Sequence, residues 1–72
     1  MKIYIVLCED RHTDPWVKVF KNKKRAITYA KEQSLEIGEE RKYVKELKVK
    51  GWLYCSHIED VGGVRVEEGE LE

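Results

Sequence analysis

The chain has 72 residues, which is room for one small domain and no linker to a second. Its 14 basic and 14 acidic side chains cancel, so net charge gives no sign of a nucleic-acid or membrane partner. Charged residues make up 39% of the chain and apolar residues 42%, a balance typical of a folded protein. Every apolar run is too short to cross a bilayer or to serve as a signal peptide. We therefore expect a cytoplasmic protein in which residues 1–72 form a single domain.

The first predicted element is a strand over residues 2–8, which are apolar at nearly every position. Alternation divides its side chains into two apolar sets: Ile3, Ile5 and Leu7 on one face, and Tyr4, Val6 and Cys8 on the other. A strand that is apolar on both faces is usually central in its sheet and covered on both sides. One helix covers only one face of a small sheet, so the second face must meet something else.

A second strand is predicted over Trp16–Phe20, because apolar and polar residues alternate there. The loop between the two strands, residues 10–14, has a length typical of a hairpin. Asn22 is a suitable N-cap for a helix that runs to about Ile37 and is stopped by Gly38. Small and apolar side chains form one stripe of that helix, which indicates close packing on a sheet.

Residues 39–50 fit two interpretations. The spacing of Tyr43 and Leu47 suits a helical face, but the end of the segment would equally suit a strand. We favour a second short helix, or a continuation of the first helix after a kink. Further strands are predicted over Trp52–Ile58 and from Val64 onward, with turn residues between them. The pattern predicts an α+β fold: an antiparallel four-stranded sheet (ββαββ) with one main helix packed on one face.

Four short motifs follow this order of elements. They are acidic-Arg-His-x-Asp in residues 10–14, Ala-Ile-x-Tyr-Ala in 26–30, Gly-Trp in 51–52, and Val-x-Val-Glu-Glu in 64–68. In these motifs the chain resembles a group of small uncharacterised bacterial, archaeal and phage proteins. The resemblance covers most of the chain and implies the same ββαββ fold. It implies no activity.

The first hairpin loop is the candidate functional loop, because strands on either side hold several titratable groups together. Its members are Glu9, Asp10, Arg11, His12 and Asp14. An imidazole oriented by a carboxylate could act as a general base, which would make the loop a small hydrolase-like site. The loop has no nucleophile motif or phosphate-binding motif beside it, and such polar residues commonly form turns. We favour a structural role for the loop and assign no catalytic residue.

Two cysteines and two histidines make a set that is chemically suited to zinc: Cys8, His12, Cys55 and His57. Both cysteines lie in apolar, strand-like segments, where a reduced cysteine behaves as a small buried hydrophobe. The spacing of the four residues does not match that of a zinc finger. We expect no metal, no cofactor and no disulfide.

Basic residues crowd the start of the predicted helix, and they form the candidate anion-binding cluster: Lys21, Lys23, Lys24 and Arg25. Free backbone N–H groups at a helix start favour phosphate or carboxylate, so the cluster could hold a polyanion or nucleic acid. The alternative is a solvated basic surface, which we favour.

The candidate interface consists of Tyr4, Val6, Trp52 and Tyr54. If these side chains lie on the face opposite the helix, a second copy of the chain would cover them. Aromatic side chains on a sheet could instead stack on bases, but no RNA-binding signature accompanies them. We therefore expect a non-catalytic homodimeric or partner-binding module. Nucleic-acid or polyanion binding is the first alternative and a hydrolase-like site the second, and no membrane partner is expected.

Overall fold

The computed structural model describes residues 1–39 and 43–71. Within them lie one α-helix and five strands, in the order β1 (Lys2–Asp10), β2 (Trp16–Phe20), α1 (Lys23–Gly38), β3 (Val44–Glu46), β4 (Tyr54–Ile58) and β5 (Gly62–Glu70). All neighbouring strands are antiparallel, and the sheet order is β2-β1-β5-β4-β3. The predicted α+β class and antiparallel sheet are confirmed. The predicted four-stranded ββαββ pattern is wrong, because the sheet has a fifth strand.

The additional strand, β3, lies in the segment for which the sequence favours a second short helix. Its three residues pair with β4, from Val44 opposite Ile58 to Glu46 opposite Ser56. The helical interpretation is therefore wrong for residues 44–46, and residues 40–42 lie outside the described residues. The spacing of apolar residues in this segment is compatible with a helix and with a strand. The segment forms a strand because its backbone pairs with the free edge of β4.

The main helix α1 begins at the predicted cap and ends close to the predicted stop. The side-chain Oδ1 of Asn22 accepts a hydrogen bond from the backbone N–H of Arg25 at 3.1 Å, which satisfies one free donor of the first turn. At the other end, a Cβ on Gly38 would lie 2.6 Å from a methyl carbon of Val44. Glycine at this position therefore lets β3 approach the last turn of the helix.

The hydrophobic core lies between α1 and one face of the sheet. Its buried members are Val6, Cys8, Ala26, Ala30, Ile58, Val64 and Val66. The two alanines allow the helix backbone to lie close to the strands, and larger side chains at the rim are only partly buried. Within the described part of the chain, no helix is both long and apolar enough to cross a membrane.

A buried polar contact joins the helix to β4 inside this core. The hydroxyl of Ser34 donates to the carbonyl oxygen of Ala30 at 2.8 Å and lies 2.7 Å from the hydroxyl of Ser56. Since Ser34 has only one proton and gives it to the carbonyl, Ser56 donates to Ser34. Both side chains are thus satisfied although almost no water reaches them.

The edge strand β2 is attached to the helix through Tyr29. The indole N–H of Trp16 donates to the Tyr29 hydroxyl at 3.2 Å, and the Phe20 and Tyr29 ring centroids are 5.3 Å apart. The ammonium nitrogen of Lys18 lies 4.8 Å from the Tyr29 ring centroid, a cation–π contact. These three residues of β2 point toward the helix, and the two between them point to the other side of the sheet.

Candidate functional site

The sheet face opposite α1, called the open face here, carries the alternate side chains of every strand. Its central members are Ile3, Ile5, Leu7 and Glu9 of β1, Val17 and Val19 of β2, Gly63, Arg65 and Glu67 of β5, and Cys55 and His57 of β4. Each of these residues alternates along its strand with one that faces the helix. In the described residues, no helix packs on this face.

One half of the open face is an aliphatic patch formed by Ile3, Ile5, Leu7, Val17 and Val19. Cross-strand pairing makes it continuous, because Leu7 lies opposite Val17 and Ile5 lies opposite Val19. The two valines are 57% and 53% exposed, and the three β1 side chains are half-buried. A continuous patch of aliphatic side chains on the surface is characteristic of an interaction site.

The other half of the open face contains a cavity of about 290 Å³. Gly63 lies between Glu9 and His57 in the pairing, and it has no side chain to fill the space. On the rim, the guanidinium of Arg65 lies 5.0 Å from the Trp52 ring centroid and 3.8 Å from a carboxylate oxygen of Glu9. Both ion-pair side chains are well exposed, so the pair adds little stability.

The two cysteines lie on opposite faces of the sheet and are both free thiols. Burial in the core raises the pKa of Cys8 to about 11. Burial also raises the pKa of Cys55, although the positive charge of Arg65 acts in the other direction. Neither thiol is therefore activated as a nucleophile at neutral pH.

The four residues considered as zinc ligands do not converge. Cys8 faces the helix, whereas Cys55 and His57 face the open side of the sheet and His12 lies in the first hairpin loop. Among residues 1–39 and 43–71, no three histidine, cysteine or acidic side chains are grouped so as to hold a metal ion.

The first hairpin loop is organised by Asp10. Its side chain accepts the backbone N–H of His12 at 2.9 Å, and its carbonyl oxygen accepts the N–H of Thr13 at 3.1 Å. An aspartate that caps the second residue after it is a common turn device. The N–H of Arg11 donates to the carbonyl oxygen of Val61 at 2.9 Å, which fixes the loop to the turn before β5. Through these bonds, Asp10 and the backbone of the residues after it stabilise the conformation of the loop, which is a structural role.

The five residues of the candidate functional loop are not brought into one pocket. The Glu9 carboxylate lies beside Arg65 on the open face. Asp10 and His12 instead line a separate cavity of about 330 Å³ beside the end of α1. Arg11 and Asp14 are exposed. The described lining of that cavity contains several carboxylates but no serine, threonine or cysteine, so the geometry does not favour a hydrolase-like site.

The candidate anion-binding residues are all exposed around the start of α1: Lys21, Lys23, Lys24 and Arg25. The first turn of the helix contains no acidic residue, and the last turn contains no basic residue. This arrangement opposes the helix dipole at both ends.

Three of the four residues predicted as an interface lie on the helix side of the sheet. Val6 is completely buried, and Tyr4 and Tyr54 pack against the core. Only Trp52 lies on the open face, where it contacts Arg65. The placement of Tyr4 and Val6 opposite the helix is therefore corrected, because α1 covers that set of β1 side chains. The aromatic surface considered for base stacking is likewise mostly covered.

Comparisons of the chain with protein-family models, with curated proteins and with solved structures found no match. The features that point to a function are those of the molecule itself: the aliphatic patch, the cavity beside it and the basic helix start. Of these, the aliphatic patch departs most from an ordinary water-exposed surface.

Proposed function

We propose that the chain is a non-catalytic binding module that associates with a second copy of itself through the open face. The exposure of the aliphatic patch is the observation that supports this function. Full burial of one valine, leucine or isoleucine side chain is worth about 1.5–3 kcal/mol. Val17 and Val19 are more than half exposed, so much of this free energy is still available for association.

The small size of the chain also favours association. The core beneath α1 consists mainly of valine, alanine and cysteine, so it buries few large side chains. A chain of this length often needs a partner subunit, a metal or disulfides to supplement a single core. A second copy packed on the open face would add a second hydrophobic layer and give the order helix, sheet, sheet, helix.

Sedimentation velocity of the wild-type chain over micromolar to submillimolar concentrations tests this function. We expect a dimer that dissociates on dilution. Val19→Lys should remain monomeric, because it places an unpaired charge in the buried contact. Leu35→Lys is the matched control, since Leu35 is a comparably exposed aliphatic residue on the helix, and this variant should still dimerise. A wild-type chain that stays monomeric throughout would contradict the proposal.

A second candidate function is the binding of a polyanion, including nucleic acid, at the start of α1. It is supported by the four exposed basic residues there and by the absence of acidic residues in the first turn. It remains second because the stacking surface that single-stranded nucleic acids use is mostly covered by the helix.

A further inference from the structure

Two rows of side chains cross the centre of the open face. The first row contains Val17, Leu7, Arg65 and Cys55, and the second contains Val19, Ile5 and Glu67. Between them runs a middle row whose side chains face the helix: Lys18, Val6, Val66 and Tyr54. Both open rows are aliphatic on β2 and β1, and each carries one charge on β5. That charge is positive in the first row and negative in the second.

We propose that two copies pair about a two-fold axis that runs across the strands along the middle row. This inference rests on the proposed function and specifies its geometry. Such an axis places the first row of one copy on the second row of the other. Val17 then meets Val19, Leu7 meets Ile5, and Arg65 meets Glu67, each contact occurring twice. These contacts lie near the axis, where two aligned sheets that cross at about −30° stay closest to register.

The charges on β5 select this axis over the other simple two-fold axis, which runs parallel to the strands between β1 and β5. The parallel axis would place Leu7 on Arg65 and Ile5 on Glu67 of the second copy. A carboxylate buried against an isoleucine loses its hydration without gaining a partner, which is costly. In the two rows beside it, the axis across the strands instead pairs aliphatic side chains with one another and Arg65 with Glu67.

Both charged residues are available for this contact. The Arg65 side chain is 38% exposed, and its ion pair with Glu9 is long at 3.8 Å. A guanidinium has five donors, so Arg65 can keep Glu9 and still bind a second carboxylate. Glu67 is exposed, and the described part of the chain offers it no ion pair. The stacked indole of Trp52 holds the guanidinium over the sheet.

A charge-exchange experiment tests the axis directly. In a dimer of Arg65→Glu, each contact between residue 65 of one copy and residue 67 of the other brings two carboxylates together. In a dimer of Glu67→Arg, each of these contacts brings two guanidiniums together. Each variant alone should dimerise roughly tenfold or more weakly than the wild type, because like charges then face each other across the axis. An equimolar mixture of the two should recover a dimer, since every contact again pairs opposite charges. The double variant, Arg65→Glu with Glu67→Arg, should recover a homodimer for the same reason.

The outcomes separate this inference from the proposed function. If the wild type dimerises and Val19→Lys does not, but the mixture remains monomeric, the axis is wrong and the open face is still the interface. If the wild type is monomeric, both are wrong. Arg65 also contacts Trp52, so folding of its variants is checked by circular dichroism.

Glu67→Arg provides an independent measurement, because no ion pair within the described residues is lost with it. Glu70→Arg makes the same charge change on the helix-facing side of the same strand and serves as the matched control. Loss of the dimer in Glu67→Arg but not in Glu70→Arg supports the axis. An equal effect of the two substitutions overturns it.

Discussion

At the scale of single residues, Cys8 shows how one buried thiol links stability to pH. Its side chain is fully buried between β1 and the helix, and burial raises its pKa from 9.0 to about 11. The folded state therefore holds this proton more tightly than the unfolded state does. The stabilisation is complete below pH 9, and it is lost as the pH rises from about 9 to about 11.

We expect the wild-type chain to lose roughly 2 kcal/mol of unfolding free energy over that range through this thiol. Urea denaturation at a series of pH values measures the loss. Cys8→Ala lowers stability at neutral pH by leaving a small cavity, but its stability should fall less steeply between pH 9 and pH 11. Parallel pH profiles for the two proteins would show that Cys8 does not carry the effect.

Single residues of β1 also show what alternation along a strand can predict about burial and what it cannot. The sequence divides β1 into two apolar sets correctly, but it does not say which set the helix covers. That choice depends on pairing with β5, where Val64 and Val66 alternate with Arg65. Because Val66 lies opposite Val6, the side of β5 that carries the two buried valines identifies the core side of β1. Register between distant strands supplies this information, and local periodicity does not.

At the scale of secondary-structure elements, the start of α1 is stabilised by its cap and destabilised by its charges. Lys23, Lys24 and Arg25 lie in the first turn, where the helix dipole favours negative charge. Replacing Lys23 and Lys24 by glutamate should raise the unfolding free energy by about 0.3–1 kcal/mol per residue at low salt. Thermal denaturation of this double variant measures the gain, which should shrink as salt is added.

The same variant separates a solvated basic surface from an anion site. If polyphosphate or a short RNA raises the melting temperature of the wild type but not of the variant, the second candidate function gains support. If the variant is more stable and neither protein responds to a polyanion, the cluster is only a surface that opposes the helix dipole.

Elements with strong local signals agree with the sequence prediction, and an element with a weak signal does not. The bounds of β2 are those predicted, and α1 follows its Asn22 cap, because alternation and capping are encoded within a few residues. The strand β3 has only three residues and forms by pairing with β4. A strand so short leaves almost no periodicity of its own, so the sequence could not separate it from a helical turn.

At the scale of the whole molecule, self-association would couple stability to concentration. A second copy that binds only the folded chain shifts the equilibrium away from the unfolded state. Above the dissociation constant, we expect the melting temperature of the wild type to rise by roughly 3–5 °C for each tenfold rise in protein concentration. Differential scanning calorimetry over a hundredfold concentration range measures this dependence.

Val19→Lys should melt at one temperature throughout the same series, since it removes the contact without touching the core beneath α1. Leu35→Lys should keep the slope of the wild type. The Arg65→Glu and Glu67→Arg variants, each measured alone, should show a smaller rise in melting temperature over this range than the wild type. An equimolar mixture of the two should regain the wild-type rise, because only the mixture restores opposite charges across the axis. A melting temperature of the wild type that does not change with concentration would show that the open face is exposed in the native state.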